Sequence, residues 1–135
     1  GIDLAPRMIE QADARGLYRH LAVGDCAEVL TGNPDFSGSY DTIMAADVFI
    51  YIGALETLFD AVIPRLNADG RMAFSIETST TSDVEIRSSG RFAHSDSYIK
   101  ALAAQHGLNV IAQRDHDIRM ELEKPIAGQL YLLGR

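Results

Sequence analysis

The pattern of apolar and polar positions predicts strands separated by helices. The most apolar stretch, YDTIMAADVFIYIG at residues 40–53, is a near-continuous hydrophobic run of the kind found in strands buried on both faces of a parallel sheet. The opening residues GID have the pattern of the end of another buried strand. Further strands are predicted at 18–25, 71–78, 108–115 and 129–135.

Three segments between these strands are predicted to be helical. Pro6 suits the first turn of a helix, because its missing N–H would be unpaired there anyway. Residues 55–66 carry a single apolar stripe at helical spacing. Ser95 or Ser97 can cap a third helix, which Gly107 is placed to end.

Two polar segments are predicted to be loops. Residues 27–39 are rich in Gly, Asn, Pro and Ser, with room for one helical turn. Residues 79–92 are poor in large apolar side chains, which makes them the best candidate for a mobile loop or lid. Strands alternating with helices predict an α/β fold with a mostly parallel sheet, and we expect residues 1–135 to form one domain.

Composition and charge narrow the classes of function. The 135 residues have a net charge of −7 and no basic cluster, so we expect no nucleic-acid partner and no attachment to anionic membrane. No apolar run approaches the roughly 20 residues that span a bilayer. The single cysteine, Cys26, suits a reducing compartment, and we expect a cytoplasmic location.

Three acidic residues fall at or near the carboxyl ends of predicted strands: Asp3, Asp25 and Asp47. Parallel sheets bind ligands beyond these ends, so the acids are candidate binding groups. Asp3 and Asp25 could instead simply cap the segments that follow them.

Four segments carry a resemblance to a known family: GIDLAPRMIEQA, VGDCAEVL, YDTIMAADVFIYIG and LNADGRMAFSIE. Together they resemble the class I S-adenosylmethionine-dependent methyltransferases. The resemblance implies a Rossmann-like fold with helices on both faces of the sheet and an antiparallel C-terminal strand. It also implies S-adenosylmethionine as the cofactor, with these binding residues: Asp3, Leu4, Met8, Asp25, Cys26 and Ala46.

The resemblance also implies individual roles. Asp3 would accept both ribose hydroxyls, since a carboxylate offers paired acceptors. Asp25 would accept the adenine amino group, and the backbone N–H of Cys26 would meet an adenine ring nitrogen. Leu4 and Met8 would pack on the adenine face or the ribose edge.

One element of the family pattern is missing. Its first strand and Gly-rich loop should lie directly before residue 1, so we expect the chain to be an N-terminally truncated piece of a longer methyltransferase. That strand is central in the family's sheet, and its loss would leave two strand edges without partners. We therefore predict a homodimer through unpaired edges, rearranged pairing or poor stability. ADVFIYIGAL and GRFAHS more narrowly resemble a predicted methyltransferase group that often carries tetratricopeptide repeats.

Three residues are candidates for catalysis. Asp47 and Tyr51 lie after the fourth strand of the family pattern, where that family lines its methyl-donor pocket. His94 could reach the mouth of the same pocket as a base or as a group that hydrogen-bonds the substrate. Alternatively, His94 is an exposed or helix-capping residue, and Tyr51 is a packing aromatic. Cys26 has no neighbouring His and is expected to be a small buried residue rather than a nucleophile. No metal-ligand spacing is recognised.

The sequence therefore favours methyl transfer to an unidentified small-molecule or protein acceptor, by a fragment that could be inactive alone. An NAD(P)-dependent Rossmann oxidoreductase, which also places an acid on ribose after its second strand, is an alternative. A non-catalytic folded fragment or assembly module is a third.

Overall fold

The computed structural model describes residues 1–121 and 124–135 of the chain. The strands in these ranges are β1 (Ile2–Asp3), β2 (Ala22–Val23), β3 (Tyr40–Ala45), β4 (Leu66–Glu77), β5 (Val84–Ile86), β6 (Phe92–His94), β7 (Asn109–Glu121) and β8 (Lys124–Gly134). The α-helices are α1 (Pro6–Asp13), α2 (Cys26–Gly32), α3 (Glu56–Val62) and α4 (Asp96–Gln105). Single 3₁₀ turns lie at Pro34–Phe36, Phe49–Tyr51 and Ile63–Arg65.

The strands form one sheet of four and two separate pairs. The four-stranded sheet has the order β3-β4-β8-β7, with β3 parallel to β4 and the other two pairings antiparallel. β1 and β2 form a parallel pair, and β5 and β6 an antiparallel one. The antiparallel C-terminal strand is confirmed. The sheet is mixed, so the expectation of a mostly parallel sheet is not confirmed.

The apolar run at 40–53 is only partly a strand. β3 ends at Ala45, and Asp47 then takes a left-handed conformation with φ of 54° that breaks the extended backbone. A 3₁₀ turn at Phe49–Tyr51 buries the apolar residues that follow. A hydrophobic run alone does not distinguish a long strand from a strand followed by a buried turn.

The loop expected at 79–92 is instead largely a short hairpin, with β5 paired to β6. Its start is held by Glu85, whose Oε2 accepts hydrogen bonds from Ser79 Oγ at 2.8 Å and Thr81 Oγ1 at 2.6 Å. Those two hydrogen bonds lower the pKa of the Glu85 carboxyl, Thr81 contributing most. Strands of three residues are too short for their apolar pattern to stand out in the sequence.

The remaining boundaries follow local chemistry. Asp25 caps α2, which occupies the first part of the loop expected over 27–39. The strand expected at 18–25 is reduced to Ala22–Val23. The segment NADG at 67–70, whose composition is typical of a turn, lies inside β4. The cap of α4 by Ser95 is confirmed, with Oγ accepting from the N–H of Tyr98 at 3.1 Å.

The core packs around β4. Phe74 of β4 stacks on Phe49 with ring centroids 4.6 Å apart and on Tyr131 of β8 at 5.3 Å. Phe59 of α3 meets Phe74 edge-on. Ile99 and Leu102 of α4 complete the same buried cluster. No helix in the described ranges is long and apolar enough to cross a membrane.

Candidate functional site

Two acids follow adjacent parallel strands. β1 pairs with β2 in the register Asp3↔Val23, so Asp3 and Asp25 both lie at the carboxyl ends of this pair. Asp3 Oδ1 accepts a hydrogen bond from the N–H of Ala5 at 2.8 Å. Asp25 Oδ1 accepts from the first turn of α2, from the N–H groups of Ala27 at 2.9 Å and Glu28 at 3.1 Å.

Asp25 caps α2 as the alternative predicted, whereas Asp3 accepts from the N–H of Ala5 in a turn and does not cap α1. Neither carboxylate is used up by these hydrogen bonds. Each acid engages a single oxygen, Oδ1, and the backbone bond fixes the direction of the side chain. In the described ranges Oδ2 of Asp3 and Oδ2 of Asp25 make no hydrogen bond. Two oriented acceptors therefore remain for donors on a ligand.

Cys26 lies with these acids. Burial raises the pKa of the Cys26 thiol, and the negative charges of Asp25 and Asp3 raise it further. Both carboxylates are thus close enough to act on the same sulfur. The thiol is kept protonated, which agrees with the expectation that Cys26 is not a nucleophile.

Exposed apolar side chains accompany the acids. Leu4 directly follows Asp3 and is 69% exposed, and Met8 on α1 is 52% exposed. Ala46 is exposed directly after the end of β3. Large apolar side chains left in solvent next to polar acceptors are typical of ligand-binding surfaces.

Asp47 and Tyr51 both remain accessible beyond the carboxyl end of β3. Asp47 has the left-handed backbone conformation, and its N–H donates to Ser75 Oγ at 2.9 Å. Ser75 is buried on β4 and so fixes the turn from the neighbouring strand. Tyr51 is 64% exposed at the end of the 3₁₀ turn.

His94 does not lie at the opening of the predicted methyl-donor pocket, where the sequence analysis expected it. Its side chain is fully buried, and Nε2 lies 2.8 Å from the carbonyl oxygen of Gly53. The ring stacks on Tyr98, whose hydroxyl accepts from the N–H of Leu55 at 2.8 Å. The alternatives of an exposed or helix-capping histidine are wrong as well.

The environment of His94 makes it a structural group. Burial lowers the pKa of its imidazole, and Nδ1 has no hydrogen-bond partner in the described part of the chain. Its bond to Gly53 restrains the backbone two residues after Tyr51. Ser75 and Gly53 were missed by sequence reasoning, and the signal available for Ser75 was a small polar residue inside an apolar strand.

A cavity of about 630 Å³ lies between β1 and β3 rather than over the acids. Cys26 is the one predicted cofactor residue that lines it. A second cavity of about 470 Å³ borders α4 and includes Glu56, Asp83 and Tyr98. In the described ranges no group of three or more His, Cys, Asp or Glu side chains could hold a metal ion.

No family model and no curated protein matches the sequence, whereas solved structures match the fold. The N-methyltransferase NodS from Bradyrhizobium japonicum WM9, in complex with S-adenosylhomocysteine, is 20% identical with a TM-score of 0.71, over 99% of this chain and 64% of NodS. The O-methyltransferase from a trans-AT polyketide synthase multienzyme of Brevibacillus brevis, also with S-adenosylhomocysteine, is 15% identical with a TM-score of 0.79, over 100% of this chain and 57% of that protein. Magnesium protoporphyrin IX methyltransferase (ChlM) from Synechocystis PCC 6803, with bound S-adenosylmethionine, is 14% identical with a TM-score of 0.68, over 100% of this chain and 58% of ChlM.

These likenesses establish the fold. The chain has the fold of the S-adenosylmethionine-dependent methyltransferases, and it spans 57–64% of the length of these three proteins. The resemblance inferred from the sequence is confirmed at that level. The narrower link to proteins with tetratricopeptide repeats and the truncation stay predictions.

Proposed function

We propose that this chain forms the adenosine-binding part of an S-adenosylmethionine-dependent methyltransferase. The observation that carries the proposal is the pair of oriented carboxylates, Asp3 and Asp25, on adjacent strands of a fold shared with methyltransferases that bind this cofactor or its product. The acceptor of the methyl group is a small molecule or a protein.

The residues present fit the adenosine portion of the cofactor. Asp3 would hold the ribose hydroxyls through its free oxygen, and Asp25 the adenine amino group. The N–H of Cys26 is at the first position of α2, where no intrahelical acceptor exists. Leu4 and Met8 supply apolar surface for the purine, and Ala46 contributes at the end of β3.

Little side-chain chemistry is required for the transfer itself. The cofactor, when bound, supplies a methyl group already activated on a sulfonium, so the protein mainly positions the acceptor and excludes water. Asp47 and Tyr51 are the accessible polar groups after β3, and Asp47 can take a proton from an acceptor that must lose one. His94 acts as a positioning residue through Gly53.

Isothermal titration calorimetry with S-adenosylhomocysteine tests the proposal, with NAD as the competing ligand. We expect saturable binding of S-adenosylhomocysteine and none of NAD. Asp3→Asn should weaken binding about 10- to 100-fold, because it removes the charge from hydrogen bonds worth about 1.5–3 kcal/mol.

The choice of variants separates binding from folding. Asp25→Asn keeps a good helix cap while removing the charge, so α2 should stay intact. Asp69→Asn removes an exposed acid at the far end of β4 and serves as the matched control. The proposal is contradicted if NAD binds as well, if neither Asp3→Asn nor Asp25→Asn weakens binding more than Asp69→Asn, or if no adenine ligand binds. The last result would favour a non-catalytic fragment or assembly module.

A further inference from the structure

The β5–β6 hairpin continues one edge of the sheet beyond the end of β3, which pairs with β4 up to Ala45. Directly after β4, the N–H of Thr78 donates to the carbonyl oxygen of Ala127 in β8 at 3.2 Å. The N–H of Ser79 donates to the carbonyl oxygen of His94 in β6 at 2.9 Å. Successive N–H groups of an extended chain point to opposite edges. β6 therefore occupies the edge of β4 that β3 leaves, and the hairpin stands beyond the carboxyl end of β3.

β6 contacts the turn that follows β3. A Cβ atom placed on Gly53 would lie 3.1 Å from Cε1 of Phe92, so the Phe92 ring lies directly against the Gly53 backbone. Nε2 of His94 approaches the carbonyl oxygen of the same glycine. β6 also packs against the 3₁₀ turn at Phe49–Tyr51. The hairpin and the turn thus form one continuous surface beyond the carboxyl end of β3.

The exposed part of this surface is apolar. Ile86 of β5 is paired with Phe92 of β6, and directly opposite residues of an antiparallel pair have their side chains on the same face. Ile86 is 67% exposed, Phe92 is half-buried and Tyr51 is 64% exposed. Phe92 connects the other two, because it is opposite Ile86 and its strand packs against the turn that carries Tyr51. We call these three side chains the apolar wall.

Polar groups outside the apolar wall hold the hairpin in place. Nη1 of Arg87 donates to Oε1 of Glu85, and Nη2 donates to the carbonyl oxygen of Thr78 at 2.7 Å. The other carboxylate oxygen of Glu85 accepts from Ser79 and Thr81. These hydrogen bonds tie the hairpin to the segment directly after β4, so its position does not depend on burying Ile86. Exposed apolar side chains that do not anchor their own element are available to a ligand.

We propose that the apolar wall selects the methyl acceptor, with Ile86 and Phe92 as specificity-determining residues for a neutral aromatic compound that carries a hydroxyl or amino group. This inference rests on the proposed function and narrows its acceptor to a small molecule. Aromatic rings pack favourably on the rings of Phe92 and Tyr51. A charged acceptor would lose hydration against this surface without gaining an ion pair. Asp47 lies shortly before Tyr51 in the chain and is the group that can take the hydroxyl or amino proton.

2-Naphthol is the probe, because it is neutral at pH 7 and joins an aromatic ring system to a hydroxyl group. 2-Naphthoate, with the same rings and a carboxylate, is the control ligand. Both are titrated into the ¹⁵N-labelled chain saturated with S-adenosylhomocysteine, whose own binding is first measured by calorimetry. We expect amide shift changes at residues 51–53, 86 and 92 with 2-naphthol, and at least tenfold weaker binding of 2-naphthoate.

Two variants of the chain decide whether the probe lies on the apolar wall. Ile86→Asp places a charge on the wall and should weaken 2-naphthol binding at least tenfold, while the binding of S-adenosylhomocysteine stays unchanged. Ile111→Asp places the same charge near the start of β7, at a position 46% exposed and outside the wall, and should change neither.

The two titrations separate this inference from the proposed function. No binding of 2-naphthol to the chain saturated with S-adenosylhomocysteine, equally tight binding of 2-naphthoate, or equal loss with both variants overturns the inference and leaves the proposed function standing. No binding of S-adenosylhomocysteine overturns the proposed function, and the acceptor role of the apolar wall falls with it.

Discussion

The two edges of the four-stranded sheet differ in kind. β7 carries charged residues along its length, including Arg114, Asp115 and Asp117, and tolerates solvent as a natural edge does. β3 has one charged residue, Asp41, near its start, whereas residues 42–45 are uncharged and Met44 is 75% exposed. Composition therefore distinguishes a strand that belongs at an edge from one suited to a neighbour on both sides, although each of the two strands has one unpaired edge in the described part of the chain.

The two edges are also anchored differently. β7 is tied to α4 through polar groups: Tyr131 of β8 donates to Asp96 Oδ1 at 2.7 Å, and Gln113 of β7 donates to the same oxygen at 2.8 Å. β3 is held at its carboxyl end, by Ser75 on the N–H of Asp47 and by the burial of Phe49. The candidate catalytic residues thus lie on the side that depends on apolar packing.

Removing the apolar anchor should have the largest effect. Phe49 is fully buried and stacks on Phe74, so Phe49→Ala should lower the free energy of unfolding by about 3–5 kcal/mol. Ile111→Ala on the β7 side is 46% exposed and should change it by no more than about 0.5 kcal/mol. Urea unfolding at pH 7 measures both. Equal losses would show that the two edges are anchored alike.

A smaller loss should follow from releasing the turn after β3. Ser75→Ala removes the acceptor for the N–H of Asp47 and should cost about 1 kcal/mol in unfolding free energy. Gln113→Ala, which removes a solvent-accessible hydrogen bond beside β7, is the control and should cost less. If Ser75→Ala is as stable as the wild type, the hydrogen bond from the N–H of Asp47 to Ser75 does not stabilise the turn after β3.

Relief of backbone strain at Asp47 should stabilise the chain slightly. Asp47→Gly removes the steric penalty of a positive φ, partly offset by glycine's greater freedom when unfolded, so we expect a gain of up to about 1 kcal/mol. Thr42→Gly, in the regularly paired part of β3, should instead destabilise by about 0.5–1 kcal/mol. If both variants destabilise the chain, the left-handed conformation is not strained. If Asp47→Gly is more stable than the wild type, the chain keeps a strained residue at a cost in stability, which is typical of functional positions.

Two histidines should give opposite dependences of stability on pH. Burial lowers the pKa of the His94 imidazole, so the unfolded chain binds a proton there more readily than the folded chain. The contribution of neutral His94 to the free energy of unfolding is therefore fully present above about pH 6.5 and falls as the pH decreases. For His106, burial is the largest influence and lowers the pKa. Hydrogen bonds to Asp60 and to the carbonyl of Leu102 outweigh it and raise the pKa overall. Its contribution is present below about pH 6.5 and is lost as the pH rises through the folded pKa.

Urea midpoints between pH 5 and 8 separate the two histidines. His94→Gln should reduce the loss of stability on the acid side, and His106→Gln should reduce the loss on the alkaline side. If both variants change the same side, one of the two pKa directions is wrong.

Local chemistry carried most of the successful predictions. Ser95 before α4 and Pro6 in the first turn of α1 act within a few residues, so the sequence alone predicts their effects. Asp3 and Asp25 could be selected from the sequence because each lies at the carboxyl end of a predicted strand. That position supports both the capping interpretation and the binding interpretation.

The failures depended on contacts between distant parts of the chain. The burial of His94 requires β6 to pack against the turn after β3, with Gly53 41 residues away. The end of β3 depends on Ser75, 28 residues beyond Asp47. Neither distance leaves a periodic signal in the sequence, so both features had to come from the structure.

An NMR titration of the ¹⁵N-labelled chain with S-adenosylhomocysteine tests the central claim most directly, because it locates the ligand. We predict amide shift changes at residues 3–8 and 25–28, at the carboxyl ends of β1 and β2, with the β7 amides unchanged. Shift changes concentrated elsewhere, or none at saturating ligand, would contradict an adenosine site formed by Asp3 and Asp25.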